Sequence, residues 1–197
     1  MVTLALLGVV VAIGVPSFKE FSRNGRMVTI ANDFLGGIQT ARTEAIKRQI
    51  ATGGVAICPS SNPDAAEPTC LDKDTKNFNG WIVFVDSDND CVRNKDKPEE
   101  VVIRTGERID LGNSEKSYRK SASTGSCISF AATGFIRAVK DRVEPIPART
   151  VFCDERGLVN QPGTSLSISR GVEVTATGRA RITRDGAEIA TWGVECK

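Results

Sequence analysis

The segment Thr177-Gly-Arg-Ala-Arg-Ile-Thr-Arg184 carries three arginines and no acid. In an extended strand, residues two apart share a face, so Arg179 and Arg181 point the same way. A guanidinium presents planar, paired donors that match phosphate oxygens. If the chain turns at Gly178, the missing Cβ lets the backbone approach such a phosphate closely. The chemistry on offer is a grip on adjacent phosphates of DNA by Gly178, Arg179, Arg181 and Arg184. The plain alternative is a solvated strand face, with Arg179 and Arg181 paired to acids such as Asp185 and Glu188. Residues 163–197 hold five basic and four acidic residues, so any affinity is modest. Contact with about three phosphates predicts a log–log salt slope of roughly −2 to −3.

A second cluster, Asp86-Ser-Asp-Asn-Asp90, has carboxylates at alternate positions, like the start of a calcium loop. Cys91 stands where such a loop needs glycine, and Lys97 replaces the closing glutamate. An Asx-rich turn between strands is the reading preferred here, and no metal is expected. Glu44 with Lys47 and Arg48 reads as surface ion pairs on a helix, with subunit contact as their one further use. Histidine is absent, which removes the commonest general base and metal ligand. No nucleophile elbow, Ser/His pair or metal-ligand spacing is present, so we expect no enzyme and no cofactor. The net charge of +2, from 26 basic and 24 acidic residues, argues against a chain that coats nucleic acid generally.

The six cysteines, Cys58, Cys70, Cys91, Cys127, Cys153 and Cys196, form no C-x-x-C pair. Spread and even in number, they read as disulfides made in an oxidising compartment, the alternative being buried free thiols. Fifteen pairings are possible. Cys58 and Cys70 bracket a loop rich in Pro, Ser and Asn and are the first choice. Cys153 with Cys196 would pin a C-terminal strand, leaving Cys91 with Cys127.

What must position these groups begins with a charge-free run, Met1–Val15. It is shorter than the roughly 20 residues that span a bilayer and longer than an ordinary core strand. It lacks the basic flank and small-residue cleavage site of a signal peptide. The nearest basic residues, Lys19, Arg23 and Arg26, follow it. The positive-inside rule would then hold the remainder in the cytoplasm, against the cysteines. Both observations are met if a basic leader precedes Met1, so Met1 is expected to be a truncated or misassigned start.

Past Pro16, apolar residues recur at Phe18, Phe21, Val28, Ala31, Phe34, Leu35, Ile38, Ala41, Ala45 and Ile46, one face of a helix running to about Gln49. Gly8, Gly14 and Pro16 would let this rod bend, and Gly36-Gly37 is a second weak point. From Val55 the period changes. Strands are expected at Val55–Cys58, Trp81–Val85, Val101–Arg104, Cys127–Phe130, Thr150–Cys153, Leu166–Ser169, Val172–Thr175, Arg179–Thr183 and Glu188–Val194. The fold class is α+β, a long N-terminal helix packed on antiparallel β-sheets. Its three parts are residues 1–17 (transmembrane and assembly), 18–52 (amphipathic helix) and 53–197 (β-rich globular domain).

The block from Met1 to Phe18 resembles the N-terminal segment of type IV pilins and type II secretion pseudopilins. Ala31-Asn-Asp-Phe-Leu35, Ala41-Arg-Thr-Glu-Ala-Ile-Lys-Arg48, Ile57-Cys-Pro-Ser60, Gly80-Trp-Ile-Val-Phe-Val-Asp86 and Gly178-Arg-Ala-Arg181 resemble the FimT/GspH group of minor pilins. That resemblance implies a type IV pilin-like fold and a subunit held at the inner membrane by a single pass, with a periplasmic domain. It implies entry into a pilus or pseudopilus alongside other pilins or pseudopilins. Leu4, Leu7, Val11, Pro16 and Phe18 would form its assembly face. Re-burial of about 15 apolar residues against sister stems is worth on the order of 10 kcal/mol or more. It implies prepilin peptidase as a processing partner, although the family's Gly-Phe-Thr-Leu junction and following glutamate are not in this chain. In FimT-like proteins a G-R-x-R motif is linked to DNA binding in natural transformation, and Gly178-Arg-Ala-Arg181 matches it. Two functions follow as expectations: a minor pilin of a type IV pilus, with DNA capture at the arginines, or an H-type pseudopilin of the type II secretion system. A membrane-anchored hydrolase using Asp or Glu is the third, without a motif to support it.

Overall fold

The computed structural model describes residues 2–71, 80–106, 127–140, 147–154 and 156–193, with side chains from residue 15 onward, Pro16 excepted. Helix α1, Val2–Arg48, is unbroken through Gly8, Gly14 and Pro16. Its buried apolar side chains are Met27, Ile30, Ala31, Phe34, Ile38, Ala41 and Ala45. Spacings of three and four put them on one stripe. Val28 and Ile46, expected on that face, are exposed, and Met27 and Ile30 take their places. The helix stops where Gln49 adopts a left-handed conformation, φ 54°, with its N–H returning to the Ala45 carbonyl.

The stripe covers two antiparallel sheets. The first is ordered β3-β2-β1-β4-β5, from strands β1 (Gly54–Ser60), β2 (Gly80–Asp86), β3 (Val102–Thr105), β4 (Ile128–Phe130) and β5 (Ile136–Arg137). The second is β6-β7-β8, from β6 (Ala148–Phe152), β7 (Leu166–Val174) and β8 (Ala180–Asp185). This is the α+β arrangement expected. β1 and β2 are buried on both faces. Val55, Ile57, Trp81 and Val83 face α1. The alternate residues Ala56, Cys58, Ile82 and Phe84 pack outward against Cys70, Cys91, Cys127 and Val139. Phe34 lies between the sheets, its ring edge-on to Trp81 of the first at 6.3 Å and to Phe152 of the second at 5.3 Å.

Three expectations are corrected and one strand is added. Gly36-Gly37 is no weak point: a Cβ on Gly37 would lie 2.6 Å from the Trp81 ring, so the glycine is what lets helix and sheet meet so closely. Leu166–Ser169 and Val172–Thr175 are one strand, β7, whose register against β8 slips between Leu166 and Gly171. The C-terminal strand expected from Glu188 is instead a short helix, α2 (Gly186–Ala190). Asp185 caps it by accepting from the N–H groups of Ala187 and Glu188, and that capping outweighs the β-rich composition. Strand β5 was not foreseen; two residues are too few for a periodic signal.

Cys58–Cys70 and Cys91–Cys127 are bonded as expected, with Cα separations of 5.6 and 6.1 Å. Cys153 is also disulfide-bonded, and Cys196 lies outside the described residues.

Candidate functional site

Three places carry the chemistry read from the sequence. The first is the β7–β8 hairpin. Residues Thr175–Gly178 make the turn, the Gly178 N–H returning to the Thr175 carbonyl at 2.8 Å. Gly178 has φ 75°, and a Cβ there would collide with the Gly134 carbonyl. Its freedom is thus spent on fitting this turn against the β4–β5 turn. Arg42 of α1 fastens both, donating from Nε to the Gly134 carbonyl (3.1 Å) and from Nη2 to the Thr177 carbonyl (3.4 Å). Nothing in a one-dimensional pattern marks Arg42, which sits 92 and 135 residues from its partners.

Arg179 and Arg181 fare differently. Arg179 is exposed, and its guanidinium makes no hydrogen bond or ion pair among the described residues; its carbonyl accepts from Thr175 in the turn. Arg181 lies opposite Glu173 in the hairpin register and donates to it from Nη2 at 2.9 Å. It also pairs with Glu188 at the start of α2. Those bonds, Glu188 first and then Glu173, hold the Arg181 guanidinium well above its ordinary basicity, and Arg181 in turn holds Glu188 below the usual carboxylate range. Arg149 adds a third arm, Nε to Glu173 at 2.9 Å. Two arginines and two glutamates cancel, so Arg181 offers a phosphate little net charge. Arg184, three residues on and across the strand, is exposed and donates to Gln161 at 3.1 Å. The motif is therefore divided between one neutralised and two open arginines. Asp185, a suggested partner, serves α2 instead.

The second place is the loop after β2. Asp86 accepts from the N–H groups of Asp90 (3.1 Å) and Cys91 (3.2 Å), which closes the turn. Asp86, Asp88 and Glu100 bring carboxylate oxygens within 4.8 Å of one another. Lys97 pairs with Asp88 and, at 3.2 Å, with Glu100, supplying the cluster with an internal cation. Burial, reinforced by the charges of Asp90 and Asp88, pushes Asp86 up from 3.8 to about 6. A raised acid holds its proton more tightly folded than unfolded. Its contribution to stability is full below pH 3.8 and is lost as pH rises through about 6. The span corresponds to at most about 3 kcal/mol. Asp86→Asn should therefore flatten the fall in stability between pH 4 and 6.5, checked by urea midpoints across that interval.

The third place is the stem of α1 outside the stripe. Val15, Phe18 and Phe21 are 47, 70 and 75 % exposed. Leu4, Leu7, Val11 and Pro16 are helical in backbone, but their side chains lie outside the described ones. Arg156 braces the stem where it leaves the sheets, donating to Glu20 (2.8 Å), Asn24 (3.0 Å) and Asp154. Among the described residues no helix is long and apolar enough to cross a membrane.

A protein-family model described as type II transport protein GspH matches residues 31–186. No curated protein and no solved structure matches the chain. The matched span takes in most of the buried half of α1, both sheets, and the hairpin with its arginines. With most of the chain covered, and with a long helix laid across antiparallel sheets as the N-terminal resemblance implied, this protein belongs to the GspH family.

Proposed function

We propose that the chain is a minor structural subunit of a type IV pilus, held at the inner membrane by the apolar end of α1 and drawn into the filament by it. The observation that supports this reading is the exposure of Phe18 and Phe21 on a helix whose other half is buried under two sheets. Aromatic side chains left in water at such a site gain about 1.5–3 kcal/mol each on burial against a neighbouring stem. The domain is then carried on a rod, with no catalytic step required of it. Prepilin peptidase is the processing partner that the resemblance implies, although the junction it cuts is not among these residues. DNA contact is the finer part of the proposal. Arg179 and Arg184 support it, whereas Arg181 is engaged by Glu173 and Glu188. The salt slope expected for DNA is accordingly reduced to about −1 to −2.

The family description favours a second reading, a pseudopilin of a type II secretion machine. A deletion strain separates the two. Loss of twitching and transformation, with exoprotein release intact, supports the pilus; the converse supports the secretion machine. In either machine, Phe18→Asp with Phe21→Asp should leave a folded domain that no longer co-purifies with filaments. Recovery of the double variant in filaments at the normal level would refute the stem as the assembly element. For DNA, Arg179→Ala should abolish a gel shift that Arg181→Ala largely preserves.

A further inference from the structure

Arg170 is buried, 6 % exposed, yet no carboxylate pairs with it among the described residues. The register slip in β7 explains how it is held. Residues 167–169 leave β8 and run beside the preceding loop: Asn160 bridges Ser167, and the Ile168 N–H bonds to Val159. The carbonyls so released converge on one nitrogen of Arg170. Nη1 donates to Ser167 (3.1 Å), Ile168 (2.9 Å) and Ser169 (3.0 Å). These bonds fix the guanidinium but leave its charge uncompensated.

Two more arginines close on the same bulge. Ser169 Oγ donates to the Gly157 carbonyl at 3.0 Å, which places the bulge against the residue after Arg156. Gln161, next to the bridging Asn160, accepts from Arg184. The charges of Arg184 and Arg156 add to burial in lowering the basicity of Arg170. Of the three, only Arg156 is paired with acids among the described residues, Asp154 and Glu20.

The position of this cluster along α1 names its occupant. Arg156 meets the stem at Glu20 and Asn24. Lys19 is the first charge after the apolar run, and those two residues stand about 2 and 8 Å further along the axis. A lipid headgroup layer is about 5–8 Å deep. We propose that Arg170 and Arg184, held against the stem by the acid-paired Arg156, form a seat for the phosphate of an anionic lipid at the membrane-facing base of the domain. The seat rests on the membrane-held stem of the proposed function. It lies apart from Arg179 and the Arg42-fastened turns, which are at the opposite end of the buried half of α1.

The test uses the full chain, refloated from nonionic detergent with vesicles of phosphatidylcholine alone or with phosphatidylglycerol at about one lipid in three. Each surface arginine at an anionic bilayer is worth about five-fold in binding. Arg184→Gln should lose about that factor on the mixed vesicles and nothing on the neutral ones, while Lys47→Gln, at the far end of α1, loses nothing on either. Arg170→Gln should lose as much, and Arg184→Gln, exposed and outside the core, decides the matter if Arg170→Gln does not fold. Equal behaviour of Arg184→Gln and Lys47→Gln overturns the seat. Strong competition by inorganic phosphate, without preference for phosphatidylglycerol, overturns the lipid as its occupant. A chain that ignores neutral vesicles but keeps its Arg184-dependent binding to mixed ones supports the seat and refutes the stem insertion. Binding to neither refutes both.

Discussion

Phe34→Ala is expected to lower the unfolding free energy by about 4 kcal/mol, within the range for truncating a buried aromatic. The reason is its place. The ring stands edge-on to Trp81 in one sheet and to Phe152 in the other, so its removal opens a cavity that neither sheet can close alone. Most of the cost is burial and cavity; the two ring–ring contacts add about 1 kcal/mol each at most. Urea unfolding followed by tryptophan fluorescence should show the midpoint falling with the slope nearly unchanged. Val28→Ala, on the exposed side of the same helix, should stay within about 0.5 kcal/mol of the parent. A loss below about 1 kcal/mol for Phe34→Ala would mean that the sheets are held to α1 by something other than this ring.

The paired change Cys91→Ala with Cys127→Ala should cost about 4 kcal/mol, and Cys58→Ala with Cys70→Ala about 3 kcal/mol. The order follows from the loops closed, 36 residues against 12, since the longer loop loses more entropy in the unfolded chain. Cys91 has a second role, because its N–H donates to the buried Asp86. Both disulfides also cover the outward residues of β1 and β2, Ala56, Ile82 and Phe84. Thermal or urea unfolding of the two double variants checks the order. The reverse order would show that packing by Cys58 and Cys70, rather than loop entropy, dominates.

The long helix was legible because its apolar residues repeat every three or four positions over many turns. β1 and β2 were legible because Val, Ile, Phe and Trp crowd between turn residues. Two of the disulfides followed from loop composition and elimination. Legibility failed where one contact decides. The Asp185-Gly-Ala-Glu188 run is a helix-start pattern, set against following residues that favour strands. The pairing of Arg181 with Glu188 was legible as the plain alternative to DNA contact, and Glu173 was within reach too, since a turn at Thr175–Gly178 places it opposite Arg181. Arg42 and Arg170 were not within reach. Their partners are backbone carbonyls exposed only after a turn docks or a strand slips, and carbonyls carry no sequence signature.

The buried half of α1 touches both sheets, while its covalent link to β1 is only residues 49–53. Traction along the rod must therefore slide Met27, Ala31, Phe34, Ile38, Ala41 and Ala45 past both sheets together before the link is loaded. Shear across a broad surface resists until all of it yields, whereas strands peeled one by one would give way in sequence. A subunit tugged by its stem would move as one solid piece.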